Sequence, residues 1–165
     1  MSTNLLTGAG AVLSIGGNSP TESYSDFASD IYTPVGELEN INEISRERNP
    51  VEFASLADAR TRVARGVEAV SIIEATFAYI SGDEGQDRLI AAFEEASQQT
   101  DNYNFRIQLN DGASGVADGT TIYFRGPVLS MSLSGIDNEN VIRRMVRVAR
   151  NSEWIEIPAQ AGSGA

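Results

Sequence analysis

The amino-acid sequence predicts a mainly β domain in which a single α-helix flanks a sheet. Residues 67–80 read VEAVSIIEATFAYI, a β-branched and aromatic run without glycine or proline that is typical of a strand. Residues 103–109 alternate apolar and polar side chains, as a half-buried strand does. Between them lies an amphipathic segment, and a helix with one apolar stripe needs a sheet to cover it.

The helix is predicted to begin at a capping box. Ser81 and Glu84 have the spacing at which the serine hydroxyl accepts from the backbone N–H of the glutamate, whose carboxylate reaches back. The apolar face comprises Leu89, Ala92, Phe93 and Ala96. About four turns are expected at 3.6 residues per turn, and the helix would end at Asp101-Asn102. We expect Phe93 to be buried against the sheet.

The remaining stretches add strands and loops to the same single domain, residues 1–165. Residues 1–10 are small and polar and predict a flexible N-terminal arm, and the small-residue tail 159–165 is expected to be flexible too. Residues 19–30 are polar and predict a loop. Further strands are expected at residues 11–15, 32–44, 120–124, 128–133, 141–149 and 154–157.

The composition removes most catalytic chemistry. The chain has no Cys and no His, and all of its 12 basic residues are Arg. It therefore has no His base, no thiol nucleophile, no reactive lysine and no His metal site, and we expect no cofactor. The formal net charge of −11 repels nucleic acid rather than binding it. No apolar run is long enough to cross a membrane and no signal-peptide pattern is present, so no membrane anchor is expected.

Carboxylate chemistry remains, so a hydrolase is one alternative. Its candidate residues lie around the helix: Asp83, Glu84, Asp87, Glu94 and Glu95. The early ones complement the helix dipole and the later ones lie on a solvated face, so we predict that the protein is not an enzyme. A second acidic group, Glu37, Glu39 and Glu43, lacks further ligands for a metal and is interpreted as a solvated strand face.

Residues 45–66 form a long connection between two predicted strands. They hold five of the 12 arginines: Arg46, Arg48, Arg60, Arg62 and Arg65. Ser55-x-x-Asp58 is a candidate cap for one helical turn. Because the stretch has too few apolar residues for a core of its own, we predict an inter-subunit loop that docks on an acidic neighbouring subunit. Phe53 and Leu56 would be its anchors, and its arginines would pair with carboxylates. A disordered loop is the alternative.

In the order and spacing of these stretches, the chain resembles the major tail tube proteins of long-tailed phages, which share the lambda-type tail tube fold. The matching stretches are YTPVGELENINEI, VEFASLADARTRVARG, the strand–helix–strand unit of residues 67–109, GTTIYFRGPVLSMSLSG and NVIRRMVRVARNSEWIEI. The resemblance covers residues 11–158. It departs from the family pattern at residues 52–58, where the usual Thr is missing.

This resemblance implies a β-sandwich or barrel-like subunit whose inner strands join across a homo-hexameric ring. Rings would stack into the tail tube of a virion, assembled in the host cytoplasm, with other tail proteins at the tube ends. DNA would pass through during ejection without specific binding, because an acidic lumen repels phosphates. The candidate lumen residues are Glu37, Glu39, Glu43, Glu68 and Glu74.

Two other functions stay open at this point. The tube protein of a contractile injection or secretion device has a related fold, and the resemblance implies it equally. A monomeric β-sandwich binding module, with residues 45–66 as its binding loop, is the alternative from a different class.

Overall fold

The structure is a computed structural model that describes residues 7–19, 23–95, 102–112, 119–152 and 154–159. Within these ranges the chain forms eleven strands and two helices. In chain order they are β1 Val12–Ile15, α1 Tyr24–Ser29, β2 Thr33–Pro34, β3 Leu38–Ile41, β4 Arg48–Ala54, β5 Thr61–Glu68, β6 Ser71–Ala78, α2 Glu84–Glu94, β7 Tyr103–Gln108, β8 Thr121–Gly126, β9 Val128–Ser134, β10 Arg143–Arg150 and β11 Ile155–Ile157. The predicted mainly β class is confirmed.

The strands make three antiparallel sheets. The five-stranded sheet has the order β11-β8-β7-β1-β2, and the four-stranded sheet has the order β3-β6-β10-β9. The third sheet is a hairpin of β4 and β5 alone. Every pairing among the described strands is antiparallel.

One apolar core lies between the two larger sheets, which makes the body of the subunit a β-sandwich. The five-stranded sheet contributes Phe105 and Phe124, whose rings stack with centroids 5.2 Å apart. The four-stranded sheet contributes Phe77 and Val146, both almost fully buried. Side chains along β6 alternate between buried and exposed positions, so one face of that strand belongs to the core and the other looks outward.

Helix α2 begins at a different cap from the one that the sequence predicts. Asp83, and not Ser81, is the N-cap residue, and its carboxylate accepts from the backbone N–H of Gln86 at 3.0 Å. The same carboxylate accepts from the backbone N–H of Gly36 at 3.1 Å. Gly82 has a φ of 86°, a left-handed conformation that separates Ser81 from the helix by a turn. The helix ends at Glu94, earlier than predicted, and Ala96 and Asp101 lie outside the described residues.

The prediction that Phe93 is buried is wrong, because its side chain is 44% exposed. The buried face of α2 runs instead through Gly85, Gln86, Leu89 and Ala92. A side chain at Gly85 would meet the Pro34 carbonyl oxygen at 2.1 Å, so the helix can approach the sandwich closely there only because this residue is glycine. That close approach fixes the rotation of the helix and leaves Phe93 at the edge of its buried face.

Buried Gln86 ties α2 to the four-stranded sheet by hydrogen bonds as well as by packing. Its side-chain amide donates to the carbonyl oxygens of Ala78 at 2.8 Å and Gly36 at 3.1 Å, and its oxygen accepts from the N–H of Ile80 at 3.1 Å. A buried polar side chain is tolerated when its hydrogen bonds are satisfied in this way.

Two further elements differ from the sequence prediction. The stretch 19–30 contains the short helix α1, capped by a capping box of Ser23 and Asp26, and it buries Phe27 against Tyr123. The single strand predicted for residues 67–80 is divided, because β5 ends at Glu68 and β6 begins at Ser71.

No helix among the described residues is long and apolar enough to span a membrane.

The two phenylalanines of this region give a direct test of the packing. Phe77→Ala should lower the free energy of unfolding by about 3–5 kcal/mol, because it empties a fully buried site. Phe93→Ala should cost about 1 kcal/mol or less, because its ring is largely solvated. Urea denaturation of the unassembled protein measures both, and equal losses would contradict the placement of the core.

Candidate assembly interface

The sequence predicts that residues 45–66 form a loop with one helical turn. In the structure they form mostly a β-hairpin instead. Strands β4 and β5 pair only with each other, with Phe53 opposite Arg62 and Val51 opposite Ala64. The turn is closed by a hydrogen bond from the Ser55 N–H to the Arg60 carbonyl oxygen at 3.0 Å. Val51 and Phe53 occupy alternate positions in β4, and β5 contains Val63 and Val67; β-branched and aromatic residues of this kind favour extended backbone over helix.

The two residues predicted to cap a helix instead stabilise this turn. The Ser55 hydroxyl accepts from the Ala57 N–H at 3.3 Å. The Asp58 carboxylate accepts from the Arg60 N–H at 3.2 Å and forms an ion pair with Arg62. Short polar side chains that bond to nearby backbone favour turns as readily as helix starts.

The hairpin exposes apolar side chains on both of its faces. Phe53 is 62% exposed and Leu56, at the turn, is completely exposed. Val51 shares one face with Phe53, whereas Val63 lies on the other face, and both are more than half exposed. An isolated two-stranded hairpin is marginally stable in water, so a second surface is needed to cover these side chains.

A cluster of charges holds the hairpin to the sandwich at its base. Glu68, the last residue of β5, accepts two hydrogen bonds from Arg46, at 2.9 and 3.3 Å. It accepts a third, at 2.9 Å, from Arg150 of β10. The buried Arg150 guanidinium also donates to the Ser71 hydroxyl at 3.1 Å and the Ser152 carbonyl oxygen at 2.8 Å. The hairpin is therefore fixed to the body of the subunit by a networked carboxylate.

The same cluster changes the acidity of Glu68. The hydrogen bonds from Arg46 are the largest cause, and the positive charge of Arg150 adds to them, so the pKa of Glu68 falls from its ordinary 4.5 to about 2. The carboxylate therefore stays ionised through the whole physiological pH range.

The structure places the predicted inter-subunit residues at three levels of the hairpin. Arg46 and Arg48 lie at the base, with Arg48 4.0 Å from Glu68. Phe53, Arg62 and Arg65 lie along the strands, and Leu56 and Arg60 lie at or beside the turn. Their contact with a neighbouring subunit remains a prediction.

The candidate lumen residues do not form one group. Glu74 and Arg147 are cross-strand partners on the outward face of the four-stranded sheet and form an ion pair at 2.9 Å. Glu39 of β3 forms an ion pair with Arg143. Glu37 lies in the turn before β3 with a φ of 54°, Glu43 is exposed after β3, and Glu68 belongs to the hairpin base.

Sequence reasoning missed that arginines of β10 balance the two glutamates of this outward face. The signal was available in the alternation of residues 141–149, which places Arg143 and Arg147 on one face of a strand. The pairing itself depends on the register between β10 and β6, which the sequence does not reveal.

The four-stranded sheet ends in two free edges. Among the described residues, β3 and β9 each pair on one side only, so each presents unpaired backbone N–H and C=O groups on the other. Edges of this kind pair readily with another strand. β9 is the longer edge, and Ser130 and Ser132 lie on its outward side, opposite Arg147 and Met145.

The acidic residues considered for hydrolysis lie on or directly beside α2. The Asp83 carboxylate is used as a helix cap, and Glu84 and Asp87 lie in the first turn of α2. Within the described part of the chain, no group of three or more His, Cys, Asp or Glu side chains could hold a metal ion.

Several solved structures share this architecture. No family model and no curated protein sequence matches the chain. Among solved structures, the sheath/tube terminator of the PVC extracellular contractile injection system matches with a TM-score of 0.70 at 11% identity, over 95% of this chain and 99% of that one. The SPP1 tail tube matches with a TM-score of 0.62 at 10% identity, over 96% and 82% of the two chains.

The chain has the tail tube fold. A chain of the native gene transfer agent virion also shares it, with a TM-score of 0.63 at 11% identity over 93% of this chain and 99% of that one. The resemblance inferred from the sequence is therefore confirmed for the fold.

The hairpin base of this tail tube fold should respond to acid. Because the folded pKa of Glu68 is depressed, the cluster stabilises fully above about pH 4.5 and loses that contribution as the pH falls toward 2. Arg46→Gln removes the main cause of the depression and should raise the pKa of Glu68 measurably. Arg48→Gln is the matched control, because its guanidinium is 4.0 Å away and should change the pKa less.

Carboxyl-carbon NMR titration of Glu68 follows these values directly. Equal pKa values for Glu68 in the wild type and the Arg46→Gln variant would contradict the assigned hydrogen bonds.

Proposed function

We propose that this chain is a structural tail tube subunit that polymerises as stacked homo-hexameric rings. The observation that carries the proposal is the hairpin of β4 and β5, which stands apart from the sandwich with Phe53 and Leu56 uncovered. A hairpin of this kind gains its stability from a second molecule. The shared tail tube fold supports the choice of that molecule as another copy of the same chain.

Ring formation uses the free edges of the four-stranded sheet. The β3 edge of one subunit would pair with the β9 edge of the next, so that the inner strands continue around the ring. Closing a sheet in this way removes edges that otherwise aggregate. A head-to-tail contact that closes by rotation gives a ring, and a second one along the axis gives an open filament.

The resulting tube would be a conduit for DNA during ejection, and its subunits would belong to the virion tail after assembly in the host cytoplasm. Other tail proteins would bind the ends of the tube. Glu37, Glu39, Glu43, Glu68 and Glu74 remain the pool from which acidic lumen residues are proposed. In an overall acidic protein, DNA would slide through without specific binding.

A tube subunit of a contractile injection device is the second candidate. A chain of the PVC sheath-tube complex matches with a TM-score of 0.65 at 10% identity, a likeness comparable to that of the SPP1 tail tube. Purification of the native particle separates the two, because a contractile device carries a sheath around its tube and a phage tail of the SPP1 kind would be isolated with DNA-filled capsids.

Removing the hairpin should separate folding from assembly. A variant in which Gly-Gly-Ser replaces residues 49–66 keeps Arg46, Glu68 and Arg150 and should remain a folded, soluble monomer. It should form no tubes by electron microscopy, because the inter-subunit contact is lost. Its unfolding temperature should stay within about 2–4 °C of the wild-type monomer, since the lost hairpin adds about 1 kcal/mol at most to the fold of one subunit.

A point variant and a matched control sharpen this test. Leu56→Ser keeps the hairpin but removes its exposed apolar tip, whereas Ile31→Ser removes a similarly exposed apolar side chain elsewhere and should assemble normally. Raised salt should weaken the charged part of the wild-type contact. Normal polymerisation of the deletion variant, or its failure to fold, would defeat the proposal.

A further inference from the structure

The sandwich has an apolar groove beside β3, an edge strand of the four-stranded sheet. Its volume is about 610 Å³, within the range of about 300–1,000 Å³ that binding clefts occupy. One wall carries Leu38, Ile41 and Ile44, which pack only partly against the core, and the floor is formed by Ile107 and Leu109. Apolar side chains in a groove of this size favour an apolar occupant.

The opposite wall of the groove is made of small residues, which leave room for an occupant. It consists of residues 8–11, which are glycine and alanine only, and the turn is closed by a hydrogen bond from the Ala11 N–H to the Gly8 carbonyl oxygen at 3.1 Å. Gly10 has a φ of 84°, and a side chain there would meet the Asn110 amide nitrogen at 2.6 Å. Larger residues would fill the groove or displace its wall.

The rim of the groove is acidic. Glu39 is already paired with Arg143. Glu43 is exposed and forms no ion pair among the described residues, so its charge is available to an incoming cation. An occupant with an apolar tip and basic flanks would fit both the wall and the rim.

The turn of the hairpin has this chemistry. Leu56 is completely exposed, and Phe53, which precedes it in β4, is 62% exposed. The strands and turn between residues 48 and 67 carry four arginines and two carboxylates, which leaves them basic in an acidic chain. With about 3.3 Å of rise per strand residue, a seven-residue strand holds this turn about 23 Å from the hairpin base.

We infer that the groove between residues 8–11 and β3 is the receptor for the hairpin turn of a second copy of this chain. Leu56 enters between the small-residue wall and Ile41, and the hairpin arginines face Glu43. The hairpin does not occupy the groove of its own chain, because Leu56 is fully exposed in the single subunit. This holds even though the groove residue Ile44 lies just before the hairpin base in the sequence. This inference rests on the proposed tube function and adds the surface that receives the hairpin.

Donor and receptor are different surfaces of one chain, so the contact is heterologous. Each copy that donates its hairpin keeps its own groove free for the next copy. The contact therefore repeats along an assembly without any further partner, which is what a tube of identical subunits needs.

Disulfide trapping tests this contact in an unusually clean background, because the chain contains no cysteine. Leu56→Cys protein is mixed with Asn42→Cys protein, assembled, oxidised and run on a non-reducing gel. Asn42 lines the groove. Docking holds the two sulfurs within bonding distance, so the mixed dimer should exceed the control by about tenfold or more. The control pairs Leu56→Cys with Ile136→Cys, which is 71% exposed in the turn after β9.

A chain that carries both Leu56→Cys and Asn42→Cys should form a ladder of covalent multimers, because the contact repeats. Tubes that form normally but give no crosslink above the control would overturn the groove assignment and leave the tube function standing. A crosslink of Asn42→Cys to Thr3→Cys in place of Leu56→Cys would assign the groove to the N-terminal segment and also overturn the inference. Wild-type protein that never assembles would overturn the tube function and, with it, this inference.

Discussion

The ion-pair cluster around Glu68 is the interaction on which the arrangement of the molecule depends. Glu68 ends the hairpin, Arg46 precedes it, and Arg150 belongs to the sandwich, so one carboxylate joins three segments that are far apart in sequence. Each guanidinium gives a charge-assisted hydrogen bond, which is shorter and stronger than a neutral one. The cluster therefore helps to hold an otherwise marginal element in a defined direction relative to the body.

The sandwich and the hairpin differ in where their apolar residues lie. The core of the sandwich is closed by Phe77, Phe105 and Phe124 and has no need of the hairpin. The hairpin in turn leaves its apolar side chains uncovered. A protein built from a self-sufficient body and an uncovered arm can remain soluble as a monomer and still polymerise. Its net charge of −11 adds electrostatic repulsion between free copies of the chain.

The sequence was sufficient for several strands of the sandwich. Strand β6 was predicted from its β-branched and aromatic composition, whereas β7 was predicted from the alternation of apolar and polar side chains. The hairpin was missed because both of its faces are exposed in the subunit, so its alternation carried no contrast. Phe93 was misplaced because the rotation of α2 is set by the close approach at Gly85, a tertiary contact. The candidate interface was proposed from its excess of arginine. Its shape depends on strand register, and so do the ion pairs of Glu39 with Arg143 and of Glu74 with Arg147.

The central claim is that the hairpin belongs energetically to the assembly and not to the subunit. Amide hydrogen exchange in the unassembled protein and in the polymer measures this directly. The account predicts fast exchange for the amides of β4 and β5 in the subunit and strong protection in the polymer, with those of β6 and β10 protected in both. Hairpin amides that are already protected in the subunit, or that gain no protection on polymerisation, would contradict it.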